Sequence, residues 1–235
     1  IVKMVAPSLG DGNQRNRIKA IECMTMMMGM YEGLFQRKFH NILPALARCI
    51  NGQDGSCLRV RAEAANAVGI FCNEDHCEEA HLRPYLPDVL KALVNLVQRS
   101  GHPVAQTRCL AAMAATATIV DDAFKPYYPG FMGVLKKVLT APVKESTIDL
   151  RNAAYIAVGK LAVAVGPEMF LSDAEPVMKA VFSVLGSKGQ ARDMQVVAVM
   201  HCAASVCTAM GSGFAKYLPA IVKHLLAQAT QKYDY

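Results

Sequence analysis

An all-α solenoid of about five stacked helix pairs is the fold that the residues predict, from two offset series of anchors that share one period. In the first series Arg17, Arg61, Arg108, Arg151 and Gln195 each stand three residues before a small residue (Ala20, Ala64, Ala111, Ala154, Ala198), at steps of 44, 47, 43 and 44. In the second, Pro44, Pro87, Pro129, Glu175 (beside Pro176) and Pro219 follow at steps of 43, 42, 46 and 44. Two markers with a common period define a repeating unit, and a two-helix unit of roughly 40–47 residues lies in the HEAT/armadillo range. Composition agrees, since 53% hydrophobic against 19% charged residues is too apolar for disorder, and a chain rich in Ala without Trp suits closely stacked helices.

The first helix of each pair is predicted at 16–32, 57–73, 103–121, 146–165 and 192–210. In the last of these Val196, Val199, Met200, Ala203, Val206, Cys207 and Met210 follow the i, i+3, i+4, i+7 rule of a buried face. The second helices are predicted at 39–51, 82–98, 124–140, 171–185 and 214–229. Four of them open alike, with an apolar residue five places before a proline, which the first turn tolerates because its amides have no intrahelical acceptor. Behind the proline one apolar face recurs, as in Leu90, Leu93, Leu96 and Val97, or Val222, Leu225 and Leu226. Gly166, Gly211 and Gly213 fall where first helices stop, and Asn51–Gly52, Asp54–Gly55, Ser100–Gly101 and Gly186–Gly189 fall between units. The pairs lie near 16–51, 57–98, 103–140, 146–185 and 191–230, so residues 1–235 read as one segment of a longer array.

Several function classes recede on composition. The weakly polar stretches 103–120 and 196–211 are interrupted by Arg108 or His201 and show one-faced spacing, so no membrane span is expected. The N-terminus has no signal-peptide pattern. Cys49, Cys109 and Cys202 sit in apolar stripes as small hydrophobes and are expected to be reduced. Cys72, His76, Cys77 and His81 lack the paired spacing of a zinc site, and no metal or other cofactor is expected. The six histidines have no recurring Ser, Cys or Asp partner, so no catalytic residue emerges and the chain does not read as an enzyme. The glycine runs lack the strand and the GK[ST] of a phosphate loop. Phe124, Tyr127, Tyr128 and Phe131 beside Lys125 have the composition of a base-stacking cluster, but core packing explains them better, and nucleic acid is not the expected partner.

What remains is a binding surface. Asn51, Asp54, Asp88, Asn95 and Gln98 are the polar groups predicted to line the concave face, where amides would bond an extended peptide and carboxylates its Lys or Arg; capping and turn formation is the other reading, especially for Asn51 and Asp54. Four places after each second-helix anchor stand Arg48, Lys91, Gly133, Lys179 and Lys223. That row either attracts an acidic partner or covers apolar neighbours from a solvated flank. The Arg17, Arg61, Arg108, Arg151 column is expected to be structural, tying neighbouring repeats together through turns.

The repeats also carry a resemblance. "LRVRAEAANAVGIF" and "DLRNAAYIAVGKLAVAVG" resemble the HEAT consensus, and "KFHNILPALARCI", "LRPYLPDVLKALVNLV", "AFKPYYPGFMGVLKKVL", "VGPEMFLSDAEPVMKAVFSVL" and "GFAKYLPAIVKHLLAQA" look like successive units of the karyopherin-beta family, nearest the middle of its importin beta-3 class. The resemblance implies a nuclear transport receptor, shuttling between cytoplasm and nucleus. Protein cargo with localisation signals would lie on the second helices, the Ran GTPase would bind mainly through repeats outside this segment, and FG-repeat nucleoporins would enter grooves between outer helices. The sequence departs from the family in one respect: its acidic residues gather at Glu74, Asp75, Glu78 and Glu79 and are otherwise scattered, not massed on an inner face. The competing expectation is a HEAT scaffold subunit of a stable complex, such as a phosphatase regulatory subunit or a trafficking platform.

Overall fold

The computed structural model describes residues 6–73 and 77–229, which contain helices and turns but no strand among the described residues. Nine longer helices follow in order among them: α1 (Gln14–Met28), α2 (Phe39–Asn51), α3 (Leu58–Phe71), α4 (Leu86–Ser100), α5 (Pro103–Val120), α6 (Tyr128–Thr140), α7 (Ile148–Gly186), α8 (Gln190–Met210) and α9 (Leu218–Ala229). The run α7 is two helices end to end. Gly166 has φ 79° and ψ 173°, a conformation open to glycine and costly for other residues, and it separates 148–165 from 167–186. Tyr155 Oη donates to the carbonyl of Ala180 across 3.3 Å, so the chain doubles back at Gly166.

Two layers result. Helices α1, α3, α5, the first part of α7, and α8 pack side by side, while α2, α4 and α6 pack in a second row across them. Alanine makes the first layer tight: Ala64, Ala65, Ala67, Ala112, Ala154 and Ala157 are buried where neighbouring helices meet. Leucine and isoleucine fill the second, with Leu43, Leu46, Leu90, Leu93 and Leu135 fully buried. The stretches Glu145–Gly186 and Arg192–Ala227 have the length and apolarity of a membrane-crossing helix. Both are broken by a positive-φ glycine, Gly166 or Gly211, and the apolar window of the first is 56% buried within the stack.

Two features differ from the sequence expectation. Helices α4, α6 and α9 begin at Leu86, Tyr128 and Leu218, later than predicted, because the chain first makes a single turn at Glu79–Leu82 or 3-10 turns at Asp121–Tyr127 and Gly211–Tyr217. Pro84 and Pro126 cannot donate to a continuing helix, and glycines at 211 and 213 weaken one. The α9 stripe of Val222, Leu225 and Leu226, expected to be buried, is instead 45%, 44% and 60% exposed. The helix rests chiefly on the 3-10 turn leading into it, and among the described residues of α9 Ile221 is the one that enters the core.

Candidate functional site

Where α2 and α4 lie side by side, Arg48, Asn51, Gln53, Asp88, Lys91 and Asn95 line a groove of about 290 Å³. The last three share one face because residues three and four apart are neighbours on a helix. Asn95 Nδ2 reaches Asn51 Oδ1 at 3.5 Å across 44 residues of sequence, one repeat in length. Buried Leu90, Leu93, Leu96 and Val97 orient this face by anchoring the other side of α4. The groove combines exposed cations with carboxamides that both donate and accept, the equipment to hold a polypeptide backbone and select its charge.

The sequence-predicted residues divide in three. Asn51, Asp88, Lys91 and Asn95 share this groove, whereas Gln98 lines the next one, between α4 and α6, with Gln106, Val134 and Lys137 in about 390 Å³. Asp54 joins neither. Its carboxylate accepts from Ser56 Oγ at 2.6 Å and from the Ser56 amide at 3.1 Å, and it pairs with Arg17 Nη1 at 3.1 Å. Burial opposes its ionisation most strongly, yet the Ser56 bonds and the Arg17 charge outweigh it and hold the carboxyl below its ordinary range.

The basic column makes the contacts that join units. Arg17 donates to Asp11 O, Ser56 Oγ and Asp54 O; Arg61 Nε donates to Ile50 O at 2.8 Å. Arg151 Nη1 reaches the carbonyls of Val138, Leu139 and Ala141, while its Nε donates to Gln195 Oε1 at 3.1 Å. In the third pair the carbonyl bond comes from Gln106, whose Nε2 donates to Val97 O at 2.9 Å. Arg108 points elsewhere, to Glu63 of α3 at 2.6 Å. With Gln106 in the column the steps become 44, 45, 45 and 44, more even than the series built on Arg108.

Between the first-layer helices α3 and α5 a separate cleft of about 460 Å³ is lined by Leu58, Ala62, Glu63, Val104, Ala105 and Arg108. The aromatic cluster is interior: Phe124, Tyr128 and Phe131 are at most 3% exposed, and Lys125 pairs with Asp122. Cys49, Cys109 and Cys202 are buried. Of the acidic group, Glu79 pairs with Arg83 at 3.4 Å, while Glu74, Asp75 and the neighbouring His76 lie outside the described residues. Sequence reading missed Asp173, whose buried carboxylate accepts from Tyr128 and pairs with Lys136, joining α6 to the second part of α7. An acid at an interior position of an otherwise apolar stripe was the available signal.

The family model described as importin subunit beta-1-like, TPR repeats, matches residues 65–234. The importin subunit beta-3 of Saccharomyces cerevisiae is 26% identical over 234 residues, 98% of this chain and 21% of its own length. A probable importin subunit beta-4 of Schizosaccharomyces pombe is 27% identical over 53% of this chain and 12% of its length. The chain thus spans about a fifth or less of the curated relatives it matches. Solved structures of Kap121p bound to Pho4p and bound to Nup53p align with TM-scores of 0.86 and 0.85, at 23% identity, over 99% of this chain and 21% of theirs, a likeness of fold. A stacked-pair solenoid with a matching model over most of its length places the chain in the importin beta-1-like family of helical-repeat proteins.

Proposed function

We propose that this chain is part of a nuclear transport receptor, a central stretch of the cargo-holding solenoid, which shuttles between cytoplasm and nucleus. The observation that carries the reading is the groove between α2 and α4, where Asn51 and Asn95 lie one repeat apart and face a peptide-sized channel. Side-chain amides repeated along stacked helices offer an extended segment the hydrogen bonds that a neighbouring strand would supply. Family membership supports the assignment, as do the similar structures of Kap121p bound to Pho4p and bound to Nup53p. The reaction is association and release, with Asn51, Asp88, Lys91, Asn95 and Gln98 as cargo contacts. The cleft between α3 and α5 is apolar enough, about 460 Å³ in volume, to take a phenylalanine of an FG repeat. Because each unit touches only its neighbours, small rotations at the Arg17, Arg61, Gln106 and Arg151 links add along the array and let Ran binding elsewhere reshape this groove.

The test is capture of cargo on the full-length receptor with and without Ran held in its GTP state. Release that requires Ran-GTP supports an import receptor. Cargo that stays bound regardless makes the protein a fixed scaffold and overturns the reading.

A further inference from the structure

Charge on the first three second helices is one-sided, whereas the second part of α7, beside α6, carries Glu168, Asp173 and Glu175 against Lys179. Helices α2, α4 and α6 carry Arg48, Lys91, Arg99, Lys136 and Lys137 against a single carboxylate, Asp88. Lys136 is neutralised by Asp173. Arg48, Lys91 and Lys137 are exposed, and among the described residues none of them has an acidic partner. Each of the three lines a groove: Arg48 and Lys91 the one between α2 and α4, Lys137 the one between α4 and α6 and the cleft beyond it, where Lys144 joins it. Among the described residues no carboxylate lines either of the latter two. Asn95 and Gln98, one turn apart on α4, bridge the first groove to the second.

We propose that this face docks an extended acidic segment of a partner protein, with carboxylates at every third residue meeting Arg48, Lys91 and Lys137 in turn. The period follows from two lengths. Neighbouring helices stack about 8–10 Å apart. An extended chain advances about 3.3 Å per residue, so about three residues separate the groups that meet Arg48 and Lys91, and about three to four separate those that meet Lys91 and Lys137, which stands one helical turn (about 6 Å) beyond Gly133, the α6 position level with them. Asn51, Asn95 and Gln98 then meet the intervening backbone, whose amide and carbonyl groups match their carboxamides. Asp88 is the one repulsive element and sets an upper limit on the negative charge tolerated beside Lys91. The inference deepens the docking reading above by naming the chemistry of what docks.

Fluorescence anisotropy of the full chain with labelled short peptides tests it: one with Glu at every third position, one with Lys at those positions, and one with the same glutamates clustered at one end. The every-third Glu peptide is expected to bind about tenfold more tightly than either control at low salt, with the margin shrinking as salt rises. Combined Arg48→Glu, Lys91→Glu and Lys137→Glu substitution is expected to invert the preference toward the Lys peptide, with unchanged helical circular dichroism. Asp88→Asn is expected to tighten Glu-peptide binding about twofold. Equal or tighter binding of the Lys peptide to the unsubstituted chain overturns the proposal, as does an Asp88→Asn chain with weakened Glu-peptide binding. Tighter binding of a single-stranded RNA oligonucleotide through the same three cations also overturns it, in favour of a nucleic-acid face. No Ran or cargo protein enters this assay, so a failure here leaves Ran-dependent release standing, and indifference to Ran leaves the peptide preference standing.

Discussion

Tyr128 donates its phenolic proton to Asp173 Oδ2 across 2.6 Å, tying α6 to the second part of α7 through two side chains 45 residues apart. The same carboxylate pairs with Lys136 through its other oxygen, so one buried acid serves two groups of the preceding unit. Burial first, then the bond and the charge of Asp173, push the Tyr128 phenol far above its ordinary value. A raised value means that the native state keeps its proton where the unfolded chain loses it. The stabilisation is therefore complete below about pH 10 and is lost progressively above it. Tyr128→Phe is expected to cost about 2 kcal/mol at neutral pH. Melting temperatures between neutral and strongly alkaline pH should converge for the two proteins; a constant gap would show that the hydroxyl is not the alkaline-sensitive group.

The column residues are expected to rank by the number of buried carbonyls they serve. Arg151 is 6% exposed and serves three of them as well as Gln195. Its replacement by Ala is expected to cost about 3 kcal/mol, whereas Gln106→Ala, losing one bond to Val97, is expected to cost about 1 kcal/mol. Arg108→Ala breaks the partly buried pair with Glu63 but leaves no column carbonyl without its donor, and should cost about 1 kcal/mol. Urea midpoints of the three variants check the order. Arg108→Ala emerging as the most damaging would restore it to the column in place of Gln106.

Asp54 is expected to act on folding rather than on docking. Its carboxyl is held below its ordinary range, so its contribution is present above about pH 4 and disappears as pH falls through the lowered folded value. Asp54→Asn should lower the melting temperature at neutral pH, lose that difference in strong acid, and leave peptide affinity unchanged. Weakened peptide binding at full native helicity would return Asp54 to the docking surface.

Thiol reactivity should split by layer depth. Burial pushes the Cys109 and Cys202 thiols up to about 12, and burial together with the Asp54 carboxylate pushes Cys49 to about 11, while Cys23 and Cys57 are exposed. Thiolates are the reacting species. Iodoacetamide at pH 8 followed by peptide mass mapping should therefore mark Cys23 and Cys57 and spare the other three until denaturant is added. Early labelling of Cys109 would mean that the α3–α5 contact opens readily.

Helix positions were legible because their signals are local. The apolar period of α4 and the prolines at 87, 129 and 219 each act within a few residues, and the pairs recur often enough for the period to stand out. Groove residues on regular helices were legible for the same reason: Asp88, Lys91 and Asn95 share a face by spacing alone. Asp54 was ambiguous because an Asp beside Gly55 reads as a turn or as a ligand, and its pairing with Arg17, 37 residues earlier, is a contact that no short window contains.

The residues by themselves determined that the chain is a stack of helix pairs, since amphipathic period, proline placement and glycine stops are properties of short windows. Tertiary structure decided which polar groups meet: Gln106 and not Arg108 at the Val97 carbonyl, Asp173 beneath Tyr128, Asn95 against Asn51, and the α9 stripe left open. Each helical residue turns the side chain by about 100°, so a two-residue shift in register moves a group to another face. Contacts some 44 residues apart, such as that between Asn51 and Asn95, are settled by rotation and packing across a whole repeat, which no short window contains.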